Sequence, residues 1–148
     1  HAGVALLTIE DLIMPQRFGA ESEFELVSTE EMCGKLRAAL AARRDPALVI
    51  AARTAGLKGE DTARTVARAQ AYAATGVDAL FITGLKKLSD FEAVRAAVKL
   101  PIIVGTAPEI KREDLAARGV RVLLFPHVVP TPVLAWNITE VGAAAGSP

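Results

Sequence analysis

Five short apolar stretches recur along the chain, and helical patterns separate them. The stretches are continuous rather than alternating, as expected of strands that are covered on both faces. They are VALLTI (4–9), ALVIAA (47–52), ALFIT (79–83), PIIVG (101–105) and VRVLLF (120–125). Regular alternation of strand and helix produces right-handed parallel crossovers. The pattern therefore predicts an α/β fold, either an open doubly wound sheet or part of a (β/α)8 barrel.

Capping residues mark the predicted helix ends. Ser28 precedes Glu31 by three residues and Ser89 precedes Glu92 by three, the spacing of a capping box that begins a helix. Gly76 follows a helical pattern and enters the third apolar stretch, which is typical of a helix that ends on glycine. These signals predict helices before and after the second and third strands.

Composition and charge narrow the class of protein. The 148 residues are 51% hydrophobic and only 5% aromatic, which suits one core of aliphatic side chains between helices and a parallel sheet. The 17 basic and 17 acidic residues balance, and no basic cluster indicates a nucleic acid or a membrane surface as partner. Cys33 is the single cysteine, so a reducing, cytoplasmic setting is expected. A small molecule or another protein is the expected partner.

Polar side chains follow the apolar stretches, where a parallel sheet carries its functional edge. Glu10 and Asp11 follow the first stretch, Arg53 the second, Thr106 the fourth and His127 the fifth. Two carboxylates after a buried strand suit a hard cation such as Mg²⁺, bound directly or through water. An arginine suits a bidentate contact to a substrate carboxylate. The pattern predicts these groups at one rim of the sheet.

The same residues also have plainer explanations. Glu10 and Asp11 would suit a solvated loop or a helix cap, and Arg53 would suit an internal ion pair with either of them across adjacent strands. A single histidine after a strand, such as His127, is more often structural than a proton-transfer group. No GxGxxG, GxxxxGK[ST] or nucleophile-elbow pattern occurs, which argues against the commonest nucleotide and hydrolase sites.

Longer segments of the sequence resemble the isocitrate lyase and phosphoenolpyruvate mutase superfamily. The resemblance covers nearly the whole chain in order, and its most specific parts are IED (9–11), RRDPALVIAART (43–54) and GVRVLLFP (119–126). Members are (β/α)8 barrels that bind Mg²⁺ and α-keto or α-hydroxy acids and act through an enolate. The resemblance implies a partial (β/α)8 TIM barrel, with strands four to eight and their helices. It also implies Mg²⁺ as cofactor, with Mn²⁺ as a substitute.

The resemblance implies roles for individual residues. Glu10 matches the family's metal-site glutamate, which acts through metal-bound water, and Asp11 would support it. Arg53 matches the arginine of the ART motif, which pairs with a substrate carboxylate or phosphonate. His127 matches an active-site histidine. The implied catalytic residues are therefore Arg53 and His127, which also bind substrate, and Thr106 is a further candidate for substrate binding.

Several positions depart from the lyases of the superfamily. Phe18 and Ala20 stand where those lyases carry a catalytic cysteine and a histidine, so cleavage of isocitrate or methylisocitrate is not expected. Ala55 replaces the usual acid after ART, and Gly84 replaces a common glutamate. The PQRFG loop, Gly84 and His127 together are similar to the oxaloacetate decarboxylase branch.

That branch implies Mg²⁺-dependent decarboxylation of a small α-keto acid, oxaloacetate to pyruvate, through a metal-stabilised enolate. One alternative is a phosphonate C–P bond mutase or hydrolase of the same superfamily. Another is an inactive half-barrel that serves as an assembly or binding subunit. Residues 1–148 are expected to be one partial barrel domain without strands one to three, and to be inactive in isolation. The terminal apolar helix around Trp136 is compatible with a homo-oligomer that exchanges C-terminal helices.

Overall fold

The computed structural model describes residues 3–15 and 25–124, in which five parallel strands alternate with helices. The strands lie in the sheet in their order along the chain, each hydrogen-bonded to the next. In chain order the elements are β1 (Leu6–Glu10), α1 (Thr29–Ala42), β2 (Val49–Thr54), α2 (Gly56–Gly59), α3 (Thr62–Ala73), β3 (Ala79–Ile82), α4 (Leu88–Ala97), β4 (Ile102–Val104), α5 (Arg112–Ala117) and β5 (Val122–Leu123). The predicted α/β fold and all five predicted strands are confirmed.

The described helices pack against one face of the sheet. Alternate strand residues join the buried side chains of the helices in the main core; they include Ile50, Ala52, Leu80, Ile82 and Val104. The intervening strand residues form a separate, smaller cluster without a helical member, made of Ala51, Ala79, Phe81 and Ile103. A doubly wound sheet carries helices on both faces, whereas a barrel wall carries them on one. The described sheet therefore has the winding of a barrel wall.

The structure contains the serine half of the first predicted capping box, and the second predicted box is wrong. Ser28 is the N-cap of α1, and its side chain accepts a hydrogen bond from the backbone nitrogen of Glu31 at 3.1 Å. By contrast, α4 begins at Leu88, so Ser89 lies inside the helix and makes no cap. Leu88 packs against the main core, and this apolar contact brings the start of the helix forward. Glu92 instead accepts from Arg118 at 2.6 Å.

Two helix ends show why the chain turns where it does. Asp61 caps α3, because its carboxylate accepts from the backbone nitrogen of Arg64 at 2.8 Å. Gly76 ends the same helical segment with a φ of 92°, as its position in the sequence predicted. Cys33 is 6% exposed within the core. Nowhere in the described ranges is a helix both long and apolar enough to cross a bilayer.

Candidate active site

The carboxyl ends of the strands bring Glu10 and Arg53 together. The two residues lie directly opposite each other in the parallel pairing of β1 and β2, so their side chains leave the same face of the sheet. The guanidinium Nε of Arg53 lies 3.0 Å from Oε1 of Glu10. An internal ion pair of this kind was one of the two roles predicted for Arg53 from the sequence. Roughly a third of each side chain remains exposed, so both still reach solvent.

The two atoms that face each other in this ion pair are not well aligned for a hydrogen bond. Both Nε of Arg53 and Oε1 of Glu10 are buried atoms without a hydrogen-bond partner of good geometry, although they lie 3.0 Å apart. Among the described residues they are the only buried side-chain atoms of this kind. Buried polar atoms are almost always hydrogen-bonded, and an exception calls for an explanation such as an ordered water, an ion or a catalytic role.

An aromatic ring orients the arginine. The guanidinium carbon of Arg53 lies 4.9 Å from the centroid of the Phe81 ring, within range of a cation–π interaction. Phe81 is opposite Arg53 in the pairing of β2 and β3 and is 5% exposed. Ring and carboxylate together hold the guanidinium from two sides.

A cavity of about 330 Å³ opens beside this arginine. Its described lining consists of Arg53, Lys58, Phe81, Thr83, Gly84, Gly105, Thr106 and Leu124. It brings together two predicted site residues, Arg53 and Thr106. The Thr106 hydroxyl is exposed and donates a long hydrogen bond, 3.5 Å, to the carbonyl of Leu124. The volume is at the lower end of the range for small-molecule sites.

Asp11 faces the opposite side of the sheet from Glu10 and is fully buried. Its carboxylate accepts hydrogen bonds from the hydroxyl of Thr54 at 2.7 Å, the backbone nitrogen of Ala55 at 3.1 Å and the hydroxyl of Tyr72 at 3.0 Å. These donors tie the end of β1 to the end of β2 and to α3. The carboxylate of Asp11 is therefore occupied by hydrogen bonds inside the fold, away from Glu10.

Arg68 on α3 extends this buried network. It donates two hydrogen bonds to the carboxylate of Glu60, at 2.8 and 2.9 Å, and one each to the carbonyl of Val27 at 2.9 Å and the hydroxyl of Tyr72 at 3.0 Å. Its guanidinium also lies 4.0 Å from the Asp11 carboxylate. The hydrogen bonds with Glu60 raise the pKa of Arg68 above its usual value, against the opposing effect of burial. The arginine therefore stays charged inside the fold.

Burial acts on Tyr72 in the same network. Tyr72 is fully buried, and desolvation of its phenolate raises the pKa of the hydroxyl well above its usual value, although Arg68 opposes the shift. Since the neutral phenol keeps its proton, it can donate to Asp11 while it accepts from Arg68. Sequence reasoning missed this network, because Asp11 lies 61 residues before Tyr72 and meets it only in the folded chain.

The described residues do not form a complete cation site. Within residues 3–15 and 25–124, no three carboxylate, histidine or cysteine side chains come together as metal ligands would. Glu10 supplies one carboxylate and already faces Arg53, whereas Mg²⁺ takes about six oxygen ligands. Glu10 fits the predicted role of a ligand through water only if further oxygens come from elsewhere. His127, Phe18, Ala20 and Trp136 lie outside the described residues.

Comparisons with a family model and with individual relatives point to one family. A family model described as phosphoenolpyruvate phosphomutase matches residues 1–136. A protein named oxaloacetate decarboxylase from Bradyrhizobium diazoefficiens is 51% identical over 128 residues, which cover 85% of this chain and 44% of the relative. One of the same name from Rhodopseudomonas palustris is 46% identical over 150 residues, covering 99% of this chain and 52% of the relative. The chain thus spans about half the length of these relatives.

Solved structures show the same fold. Oxaloacetate acetylhydrolase in complex with the inhibitor 3,3-difluorooxalacetate superposes with a TM-score of 0.76 at 26% identity, covering 99% of this chain and 54% of that protein. Phosphonopyruvate hydrolase in complex with oxalate and Mg²⁺ superposes with a TM-score of 0.70 at 28% identity, covering 96% and 50%. The predicted partial barrel is confirmed, because this chain matches about half of each neighbour. The chain belongs to the phosphoenolpyruvate mutase family, within the phosphoenolpyruvate mutase and isocitrate lyase superfamily.

Proposed function

We propose that this chain carries part of the active site of an oxaloacetate decarboxylase, which converts oxaloacetate to pyruvate and CO₂. The observation that carries the proposal is the oriented arginine that lines the cavity: Arg53 is held by Glu10 and Phe81, and about a third of its side chain remains exposed. Such a guanidinium is suited to a carboxylate. The two relatives that are about 50% identical to this chain are named oxaloacetate decarboxylase.

The chemistry needs positioning more than a nucleophile. The bond between C3 and C4 of oxaloacetate breaks, CO₂ leaves, and the electron pair forms the C2–C3 double bond of the pyruvate enolate. C3 then takes a proton to give pyruvate. Arg53 would hold a carboxylate of the substrate, with Thr106 as a further contact in the same cavity. His127 is the candidate for orienting the substrate or delivering the proton to C3.

A divalent cation, Mg²⁺ or Mn²⁺, would supply electrostatic stabilisation of the negative charge that develops on the substrate. Glu10 would face it through water. Asp11 would support the site by fixing the ends of β1 and β2, through its hydrogen bonds to Thr54 and Ala55. The remaining oxygen ligands of the cation would come from residues other than those described in this structure.

The proposal is tested by measuring the turnover of a chimaeric enzyme, called the graft below. The matching segment of the Bradyrhizobium relative is replaced by this chain, and pyruvate formation from oxaloacetate is measured against the same Mg²⁺ concentration without protein. We expect turnover in the graft, and an Arg53→Met version should lose about 10- to 100-fold in kcat/KM because a charge-assisted contact worth about 1.5–3 kcal/mol is removed. A folded graft that is no faster than Mg²⁺ alone would overturn the proposal.

A second candidate is a phosphonate-processing enzyme that cleaves or rearranges a C–P bond. It is favoured by the phosphoenolpyruvate phosphomutase family match and by the similarity to phosphonopyruvate hydrolase. An arginine pairs with a phosphonate as readily as with a carboxylate. Assays of oxaloacetate and phosphonopyruvate side by side in the same graft separate the two, since the preferred substrate shows the higher kcat/KM.

A third candidate is a non-catalytic half-barrel that serves as an assembly subunit. Apolar side chains are exposed on both outer strands of the described sheet, with Leu6 40% and Val122 45% exposed. Sedimentation of the 148-residue chain tests this candidate together with the predicted homo-oligomer. A stable oligomer of the chain alone, combined with an inactive graft, would favour the assembly role.

A further inference from the structure

A second cavity, of about 270 Å³, opens at the amino edge of the sheet, opposite the rim that carries Arg53. It lies between the ends of α4 and α5 and the starts of β4 and β5. Pro101, which lines it, directly precedes β4, whereas Thr106 of the Arg53 cavity comes after β4. The length of this strand, about 10 Å, therefore separates the two cavities. The described lining residues of the second cavity are Phe91, Arg95, Lys99, Pro101, Ile102, Arg118, Gly119 and Arg121.

Four of these lining residues are basic, and two of the four are held by the ends of the helices. Nη1 of Arg95, in the last turn of α4, donates to the carbonyl of Leu100 at 3.1 Å. Arg118, at the end of α5, donates to the carbonyl of Asp114 at 3.1 Å and to the carboxylate of Glu92 at 2.6 Å. Basic side chains commonly stand at the C-terminal ends of helices, where the helix dipole favours them. A guanidinium has five N–H donors, so both arginines keep donors for a further partner.

The other two basic residues, Lys99 and Arg121, have no such explanation. Lys99 lies two residues beyond the end of α4, and Arg121 directly precedes β5. Both are exposed, and within residues 3–15 and 25–124 neither side chain makes a hydrogen bond or an ion pair. Glu92 offsets the charge of Arg118 alone. The charges of Lys99, Arg121 and Arg95 are therefore left to the cavity.

The size and the chemistry of the cavity indicate a small oxyanion. Its volume is below the usual range for drug-sized ligands, and no acidic residue occurs in its described lining. Phe91 and Ile102, 1% and 6% exposed, add apolar surface to the lining. A concave surface with one sign of charge raises the local concentration of the opposite ion. The forked donors of arginine match two oxygens of a phosphate, and lysine adds a compact positive charge.

We propose that this cavity is a binding site for a phosphoryl oxyanion, either free inorganic phosphate or the phosphoryl group of a small organic phosphate. Arg95 and Arg118 donate to its oxygens from the two helix ends. Lys99 and Arg121 balance its remaining negative charge. Because the site lies at the other edge of the sheet from Arg53, its occupation is independent of the proposed function.

Calorimetric titration tests the proposal on the 148-residue chain and on the graft. Inorganic phosphate and glycerol 3-phosphate are the two ligands, and sodium chloride holds the ionic strength constant so that general screening is the same throughout. Lys99→Met and Arg121→Met each remove one charge and keep an unbranched side chain. Arg44→Met is the matched control, because Arg44 is exposed, lies between α1 and β2 at the same edge of the sheet and does not line this cavity. Circular dichroism checks that each variant is folded.

We expect at least one of the two ligands to bind with a Kd of about 1 mM or lower. Lys99→Met and Arg121→Met should each weaken this binding by about threefold to tenfold, since each removes one charged contact to the anion. Arg44→Met and Arg53→Met should change the Kd by less than about twofold. The ligand that binds more tightly shows whether the free ion or the organic phosphate is preferred.

Three results would overturn the inference. The first is that neither ligand binds to the folded wild-type protein in either form. The second is an equal loss of affinity in Arg44→Met, which would indicate a general effect of charge. The third is a loss in Arg53→Met without a loss in Lys99→Met or Arg121→Met, because the anion would then occupy the cavity at the opposite edge.

Discussion

Replacement of Arg68 by methionine should destabilise the fold far more than the same change one turn away. The Arg68 side chain is only 10% exposed and lies between Glu60, Val27, Tyr72 and the fully buried Asp11. Methionine fills similar space but donates no hydrogen bond. The substitution therefore tests whether the buried network that joins β1, β2 and α3 contributes to stability as its geometry indicates.

The expected loss in the free energy of unfolding follows from the interactions that each partner of Arg68 loses. The Glu60 carboxylate is 19% exposed and can regain water, so its loss is small. The carbonyl of Val27 loses a buried donor, which costs about 1–3 kcal/mol. Asp11 loses the nearby positive charge at 4.0 Å, and removal of one partner of a buried charge pair typically costs about 3–5 kcal/mol. Because losses within one interaction network are not additive, we expect a total near 3–5 kcal/mol, or a fall in Tm of about 6–20 °C for a domain of this size.

Arg64 provides the matched control on the same helix. Its side chain is 75% exposed and the carboxylate of Asp61 lies 3.9 Å away, so Arg64→Met should change the free energy of unfolding by no more than about 0.5 kcal/mol. Urea unfolding followed by far-UV circular dichroism measures both variants, with an unchanged denaturant slope as the check on two-state behaviour. If Arg68→Met lost less than about 1 kcal/mol, or no more than Arg64→Met, the argument for the network would be refuted.

Two further predictions concern pH and packing. Because burial raises the pKa of Tyr72, the chain's single tyrosine, the unfolded chain loses this proton first as the pH rises above about 10; the free energy of unfolding should then fall by up to about 1.4 kcal/mol per pH unit. Tyr72→Phe should remove that part of the slope, and titration of phenolate absorbance in the wild type should coincide with unfolding. Gly56→Ala should destabilise by about 1–3 kcal/mol, since its Cβ would lie 2.7 Å from the hydroxyl oxygen of the buried Thr65. Gly34→Ala, with open space around it in α1, should instead stabilise by up to about 1 kcal/mol; equal effects of the two alanines in urea unfolding would contradict this packing argument.

Apolar periodicity was sufficient to predict the strands and the type of fold. The stretch that contains Leu80 and Ile82 is apolar on both faces, and the structure buries both faces. At Ser28 the predicted cap is present, whereas at Ser89 the helix begins one residue earlier, at Leu88, which packs against the core. Local signals are therefore reliable only where tertiary contacts do not oppose them.

The site was only partly predictable for the same reason. Glu10 and Arg53 could be placed at one rim because they end adjacent strands, and the ion pair between them follows from their register. Lys58 gave no signal, since its position depends on space left by Gly84 from another strand. One partner of Asp11, Tyr72, likewise comes from α3, 61 residues away. Such long-range contacts are visible only in the folded chain.

The two adjacent carboxylates at the end of β1 also determine how that strand aligns with β2. The apolar part of β1, LLTI, would fit the sheet almost equally well after a slip of one residue, because a continuous apolar run does not distinguish the two faces. Such a slip would exchange the faces of Glu10 and Asp11. A slip that moved Glu10 into the place of Ile9 would take a charge away from the donors of Thr54, Ala55 and Tyr72 and place another against the apolar core. The two adjacent carboxylates that shape the rim therefore also specify the register in which β1 pairs with β2.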